Sequence, residues 1–504
     1  MDRATPYDKV PYTNNAHPQT HIANLYTLGR IFGLTPPPFQ RCRVLELGCG
    51  RGGNLLPMAW EYPESQFLGI DLSQVQIDDA QHSAEALQLR NLHFCKQSIE
   101  EFANNHGAFD YIICHGVYSW VPEEVQEGIL RILRDHLSSD GIAVVSYNTL
   151  PGWYFVRALR DMMVYQEAIF PEASDRSGQA RLLLTFLKEH AQDQNMREFA
   201  AREVQILTDR PDNYLLHDHL GDDNRPCYFS EFVSRAINHG LQYLGDTMVK
   251  TMFVHNFSPE VAERLSVLHN QIQQEQFLDF IANRRFRSTL LCRSGVTIKN
   301  SLEEIVRSFA IRFFMTPQQE DLTEGEPLPT ERSFVSADGA LLTVSDPLTI
   351  ALFDTLAKQN DKPLFVSELV QKIRWRFGIG DAEGIHHILL NDGIRLFTAG
   401  LLTFHADAGC YTTEISAHPQ ALPLSRYQAQ QSNRVVNGRH QMVALSAEEA
   451  TLLQILDGET SWHTILQRFR QQQEKQETDQ ENDNTEKIWL ERLHHLAREA
   501  LLLR

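Results

Sequence analysis

"VLELGCGRGG", residues 44–53, is an apolar run that ends in closely spaced glycines, and its reading decides the fold. Gly48, Gly50 and Gly53 satisfy G-x-G-x-x-G, whereas Gly48, Gly50 and Gly52 satisfy G-x-G-x-G. A strand that runs into such a loop brings backbone N–H groups close to a ligand, because no Cβ blocks the approach. Asp71 closes the next apolar run, "SQFLGID", where a carboxylate can accept hydrogen bonds from both hydroxyls of a ribose. A nucleoside-containing ligand is therefore expected.

Outward from this loop, strands and helices alternate. "RVLELG", "SQFLGID", "LHFCKQ", "FDYIICH" and "IAVVSYN" read as five strands; 54–62 and 75–87 read as helices. Pro122 opens a third helix, with Val125, Ile129, Leu130 and Leu133 on one face. This spacing predicts an α/β fold, a Rossmann-like parallel sheet covered by helices on both faces. Residues 153–212 read as a helical insertion. "YFSEFVSRAINHGLQYLGD" reads as a helix and a strand that closes the sheet. Residues 259–290 read as helical, and the acidic, Pro/Gly-punctuated 316–331 as a linker. The last third contains two similar units of helix, loop, helix, then a helix ending in a Leu-Leu strand, the outline of winged-helix-like α+β domains. Between helices of the second lies the low-complexity 471–487. The expected division is 1–40, 41–258, 259–331 and 332–504: an N-terminal covering segment, the sheet with its insertion, a helical regulatory segment with linker, and the paired C-terminal units.

Glu46 separates the two glycine patterns. A dinucleotide carries a pyrophosphate, which a carboxylate two residues before the first glycine would repel. S-adenosylmethionine carries a sulfonium and an ammonium, which it suits. Glu-x-Gly-x-Gly therefore points to the class I methyltransferase pattern. The expected cofactor contacts are Glu46, Gly48, Cys49, Gly50, Asp71 and Leu72, with Ser98 and Ile99 after the third strand beside the adenine. His115 lies at the end of the fourth strand, where open α/β sheets bind ligands, and is expected to contact the cofactor and to be the base if the reaction uses one. His115, Tyr118, Trp120, Tyr147 and Asn148 occupy loops just beyond two such ends. Together they predict an aromatic-lined substrate channel, with Tyr118, Trp120 and Tyr147 as its walls.

The bulk properties set limits. A chain of 504 residues is long for one core. Its net charge of −19 repels phosphate backbones, so no nucleic-acid partner is expected. No apolar run of about 18 residues predicts membrane insertion, and the N-terminus lacks a signal-peptide pattern. Seven scattered cysteines without C-x-x-C predict neither disulfides nor structural zinc, and a cytoplasmic location.

Six stretches resemble one family: "YDKVPYTNNAHPQTH" (7–21), "VLELGCGRGGNLLPMA" (44–59), "FDYIICHGVYSWVP" (109–122), "SYNTLPGWY" (146–154), "PCYFSEFVSRAINHGLQYLGD" (226–246) and "FLDFIANRRFRSTLLC" (277–292). The chain is similar through most of its length to bacterial class I methyltransferases with a methyltransferase regulatory domain, which include the rickettsial protein lysine methyltransferases. The resemblance implies that the N-terminal segment folds over the cofactor, with Tyr12, Gln19 and His21 as contacts. It also implies that the later domains restrict or present a protein substrate, such as an outer-membrane or surface protein before export. Two other functions compete: a small-molecule methyltransferase, and a cofactor-sensing interaction protein without turnover.

Two further clusters of polar residues stand out in the sequence. "LLHDHLGDD" (215–223) gathers His217, Asp218, His219, Asp222 and Asp223, but its spacing matches no metal site, so a polar loop is expected. Arg284, Arg285 and Arg287 form a basic cluster expected to make internal salt bridges.

Overall fold

The computed structural model describes residues 8 and 10–503, apart from 103, 171–174, 209, 222, 300–301, 321, 323–326, 360–361 and 474–481. Strands β1 (Arg43–Leu47), β2 (Gln66–Asp71), β3 (Leu92–Lys96), β4 (Phe109–Cys114), β5 (Leu137–Asn148), β6 (Leu241–Asp246) and β7 (Phe286–Arg293) form one sheet in the order β3-β2-β1-β4-β5-β7-β6. The first five are parallel; β7 runs antiparallel to both β5 and β6. Order reverses between β1 and β4, and the glycine loop leaves β1 at that switch.

Helices Ile22–Ile31, Leu55–Glu61 and Gln74–Ala86 cover one face of the sheet, and Glu123–His136 and Phe229–Asn238 the other. Ile129, Leu130 and Leu133 are fully buried, as the apolar face after Pro122 requires. The insertion consists of helices Gly152–Ile169, Arg176–His190, Gln194–Thr208 and Asp212–Asp218.

The strand at 286–293 is the main departure from the sequence expectation, which made 259–290 helical. Helices Pro259–Leu265 and Gln271–Ala282 do form, but Asn283 then turns left-handed at φ 46° and β7 begins. A central strand covered on both sides shows no alternation, and this one contains Arg287, which hides it further. Arg287 is fully buried, with Nε 2.8 Å from Asp279, Nη1 3.0 Å from Glu275 and its guanidinium over Phe229. Arg284 pairs with Asp246 at 2.9 Å, and Arg285 with Glu203 of the insertion. The basic cluster is thus an internal ion-pair network, as expected.

The first C-terminal unit begins earlier than residue 332. Strand Ala310–Phe313, preceded by helix Leu302–Ser308, is the middle strand between Leu364–Phe365 and Leu402–His405. Its four residues are too short a run for sequence periodicity to register. The segment expected to be a linker opens with strand Met315–Pro317, which pairs with Arg332–Ser336. The second unit holds helices Ala447–Ile455, Trp462–Gln473 and Asn482–Arg498, and a hairpin of Arg434–Val436 and Met442–Ala444. Part of the low-complexity stretch 471–487 lies outside the described residues, as does Asp222.

Candidate active site

Gly48 has φ +71° and faces Val117, whose Cγ2 would lie 2.5 Å from an added Cβ. Only glycine fits both constraints. Four loop amides are engaged within the protein: Gly48 N and Cys49 N donate to Ile70 O at 2.9 and 3.0 Å, Gly50 N donates to Asp71 Oδ2 at 2.9 Å, and Gly52 N donates to Cys49 O at 2.9 Å.

Asp71 accepts Gly50 N on one oxygen and Ser73 N, at 2.9 Å, on the other. Each carboxylate oxygen has a second lone pair, so two ribose hydroxyls can still be bound. Burial raises the Asp71 pKa against the opposing pull of these amides. Leu72 beside it is 53% exposed, an apolar surface suited to being covered by a ligand. Ser98 and Ile99 are half-buried; Ser98 Oγ accepts from Glu100 N at 3.2 Å, and Ile99 packs beside Gly128.

Glu46 is 4% exposed. Its Oε1 accepts from Asn54 Nδ2 at 2.8 Å, while Oε2 is buried without a partner. Burial pushes its pKa up to about 8. A buried orphan carboxylate oxygen is costly unless a donor reaches it, and an ammonium group of the cofactor fits that requirement. Asn15 Oδ1, Gln76 Oε1, His115 Nδ1 and Asn148 Nδ2 are likewise buried and unpartnered. They lie on the elements that border the loop and the ends of β4 and β5. Burial lowers the pKa of His17 to about 4 and that of His115 well below its ordinary value. Both imidazoles are held neutral, so neither opposes a cationic cofactor.

The N-terminal segment crosses this site. Ser73 Oγ donates to Asp8 at 2.7 Å, and Asn14 lies so close to Gly53 that a Cβ there would overlap its Oδ1. Gln19 Nε2 is 3.5 Å from His115 Nε2, and the His17 and His115 rings are 4.1 Å apart. The far end is strapped to the insertion: Tyr12 OH donates to Asp218 at 2.9 Å, and His217 Nε2 is 2.7 Å from Val10 O. "LLHDHLGDD" thus anchors the strap. Among the described residues no cluster of three or more His, Cys, Asp or Glu could hold a metal. Tyr12→Phe removes a hydroxyl from a buried carboxylate, which should cost about 1–2 kcal/mol in strap closure. The expected result is roughly tenfold weaker S-adenosylhomocysteine binding by calorimetry.

Several expected contacts are placed elsewhere. The thiol of Cys49 packs against Gly69, where a Cβ would lie 2.8 Å from Sγ, and its amide and carbonyl serve the loop itself. His21 is 3.3 Å from Glu61 and stacks obliquely on His440, outside the glycine loop. Tyr118 and Tyr147 do not line a channel. Both are buried against Phe232, Tyr147 in a stack at 4.2 Å and Tyr118 edge-on at 5.1 Å. Successive strand residues point to opposite faces. Ser146 accepts from Gly116 N at 2.8 Å beside the cleft, so Tyr147 is turned to the opposite core, where its hydroxyl is 2.9 Å from Thr289 Oγ1. Trp120 is half-buried, edge-on to Trp153 at 5.9 Å at the base of the insertion. Phe286, which sequence reasoning missed with the rest of β7, packs on His115 at 5.8 Å and pairs with Asn148.

The Tyr118 hydroxyl is buried without a partner. Tyr118→Phe should therefore raise stability by about 1 kcal/mol in denaturant titration, leaving turnover within twofold.

Three family models match the chain: "Methyltransferase domain" over 38–201, "Predicted methyltransferase regulatory domain" over 211–293, and "PKMT, C-terminal winged helix domain" over 418–501. The regulatory model begins upstream of the expected 259–331, overlaps it through residue 293, and includes β6 and β7, which complete the sheet. An uncharacterised protein of Rickettsia prowazekii is 35% identical over 470 residues, covering 92% of this chain and 85% of that protein. A second from the same organism is 40% identical over 232 residues, 46% of this chain and 93% of that protein. The solved structure of PKMT2 from Rickettsia typhi in complex with AdoHcy superposes with a TM-score of 0.87 at 29% identity, covering 98% of this chain and 100% of that one.

Proposed function

The chain belongs to the class I methyltransferases that carry a methyltransferase regulatory domain and is an S-adenosylmethionine-dependent enzyme; on that footing we propose that its methyl acceptor is a lysine side chain of a protein. What supports the reading is that the likeness to PKMT2 runs through the whole chain, winged-helix unit included, rather than through the sheet alone. A small-molecule enzyme would need only the sheet and a cover.

S-adenosylmethionine supplies an electrophilic methyl group on a sulfonium. The protein's own residues bind and orient. Asp71 would hold the ribose, Glu46 Oε2 would take the ammonium, and the half-exposed Leu72 and Ile99 would offer apolar surface to the adenine. Asn148 and His115, each with a buried, unpartnered side-chain nitrogen near the ends of β5 and β4, are the polar residues that border the acceptor side of the cleft. A lysine attacks only as the neutral amine. Desolvation beside a cationic centre lowers its pKa, so a strong base is not required. His115, held neutral by burial, is too weakly basic to retain a proton. Most of the acceleration then comes from alignment.

All seven cysteines are unbridged, which fits a reducing cytoplasm. No described helix is long and apolar enough to cross a membrane. We place the reaction in the cytoplasm, on a protein destined for the cell surface.

The test is to incubate cell lysate with the purified enzyme and methyl-labelled cofactor. Label in protein bands, mapped to lysine by mass spectrometry, is the expected result. Label confined to the small-molecule fraction would overturn the lysine assignment.

A further inference from the structure

The second winged-helix unit sends one side chain to Asn54, the residue that follows the glycine loop. His440 lies at the tip of the hairpin joining Arg434–Val436 to Met442–Ala444. It is 5% exposed and adopts φ +59°, a left-handed conformation uncommon for a side chain of this size. Its Nε2 lies 2.7 Å from Asn54 Oδ1, although 386 residues separate them. Its ring centroid is 4.9 Å from that of His21.

The turn is built to hold that pose. Asn437 Oδ1 accepts from Arg439 N and Gln441 N, each at 2.9 Å. Gly438 N donates to Ala500 O at 2.8 Å, and the Arg439 guanidinium donates to Arg498 O at 2.8 Å. The tip is thereby fixed to the end of the last helix of the unit.

Asn54 joins the parts. Its Oδ1 accepts from His17 N at 3.1 Å as well as from His440, and its Nδ2 donates to Glu46 Oε1 at 2.8 Å and to Thr20 Oγ1 at 3.0 Å. The His17 N–H can only donate, so the Asn54 amide oxygen faces it, and His440 Nε2 on the same oxygen must then be the protonated ring nitrogen. The amide nitrogen must then face Glu46. With Oε1 held in this way, Oε2 is the buried oxygen left without a protein partner.

We propose that His440 is a positioning residue for the cofactor: through Asn54 it orients the Glu46 carboxylate that receives the ammonium group. This rests on the reading of Glu46 given above. It assigns the C-terminal unit a part in building the cofactor site, beyond any recognition of partners.

The experiment compares two ligands by calorimetry on the full chain. S-adenosylhomocysteine carries the amino-acid group, whereas 5′-methylthioadenosine shares its adenosine and thioether but lacks it. For His440→Ala the expected result is about tenfold weaker S-adenosylhomocysteine binding with 5′-methylthioadenosine within twofold. His440→Gln places an amide donor at similar reach and should restore most of the loss. Equal weakening of both ligands, or no weakening of either, overturns the proposal. Glu46→Gln is the control for its premise. If that variant loses S-adenosylhomocysteine selectively while His440→Ala does not, His440 has no such role and the Glu46 reading stands. If Glu46→Gln binds both ligands normally, the Glu46 reading fails and the proposal falls with it.

Discussion

Glu46→Gln should weaken S-adenosylhomocysteine binding about 100-fold or more. The carboxylate is 4% exposed, and its Oε2 has no protein partner. An ammonium bound there is a desolvated charge pair, and losing one member of such a pair costs about 2–5 kcal/mol. Glutamine keeps the bond from Asn54 but turns an N–H toward the ammonium. The cofactor-free variant should fold as well as the parent, because a buried carboxyl that stays protonated up to about pH 8 is replaced by a neutral amide of the same shape. Affinity loss without stability loss therefore identifies a ligand contact; binding unchanged within threefold would remove Glu46 from the site.

The same residue predicts a pH dependence. In the cofactor-free protein Glu46 keeps its proton up to about pH 8, whereas its ordinary value is 4.5. Between those values the folded state binds more protons than the unfolded state. Stability must therefore fall as pH rises through this window, by up to about 1.4 kcal/mol per pH unit from this group. A ligand ammonium needs the ionised form, so cofactor affinity moves oppositely and strengthens toward pH 8. Denaturation and calorimetry series at several pH values test both slopes, and Glu46→Gln should flatten each.

Asp71→Asn should be nearly as damaging as Asp71→Ala, with affinity reduced about 100-fold by either. Both carboxylate oxygens accept backbone N–H groups, from Gly50 and Ser73. An asparagine has one accepting oxygen, so its NH2 must face one of these donors. Two facing donors and a lost ribose acceptor together cost about 3 kcal/mol. The glycine loop loosens as the ribose contact is lost, so the isostere rescues little. A calorimetric Kd within fivefold of the parent for Asp71→Asn would exclude Asp71 as the ribose anchor.

The cofactor half of the site was legible because it is local. Gly48, Glu46 and Asp71 lie within one β-loop-helix-β unit, where short-range geometry dictates which groups meet. The acceptor half was less so. Tyr118 and Tyr147 lie beside strand ends in sequence, but strand alternation and helix Phe229–Asn238 turn both into the core against Phe232. Phe286 and its strand were hidden because Arg287 reads as surface until Asp246, Glu275 and Asp279 are seen around it.

By itself the sequence determined the five parallel strands, the glycine loop and the kind of cofactor, since periodicity and a carboxylate's charge act over a few residues. Only the tertiary structure decided what surrounds that loop. Asp218 holds Tyr12 across 206 residues, and His440 reaches Asn54 across 386. Such contacts depend on how separately folded units pack together, and no periodicity along the chain encodes the place where their surfaces meet.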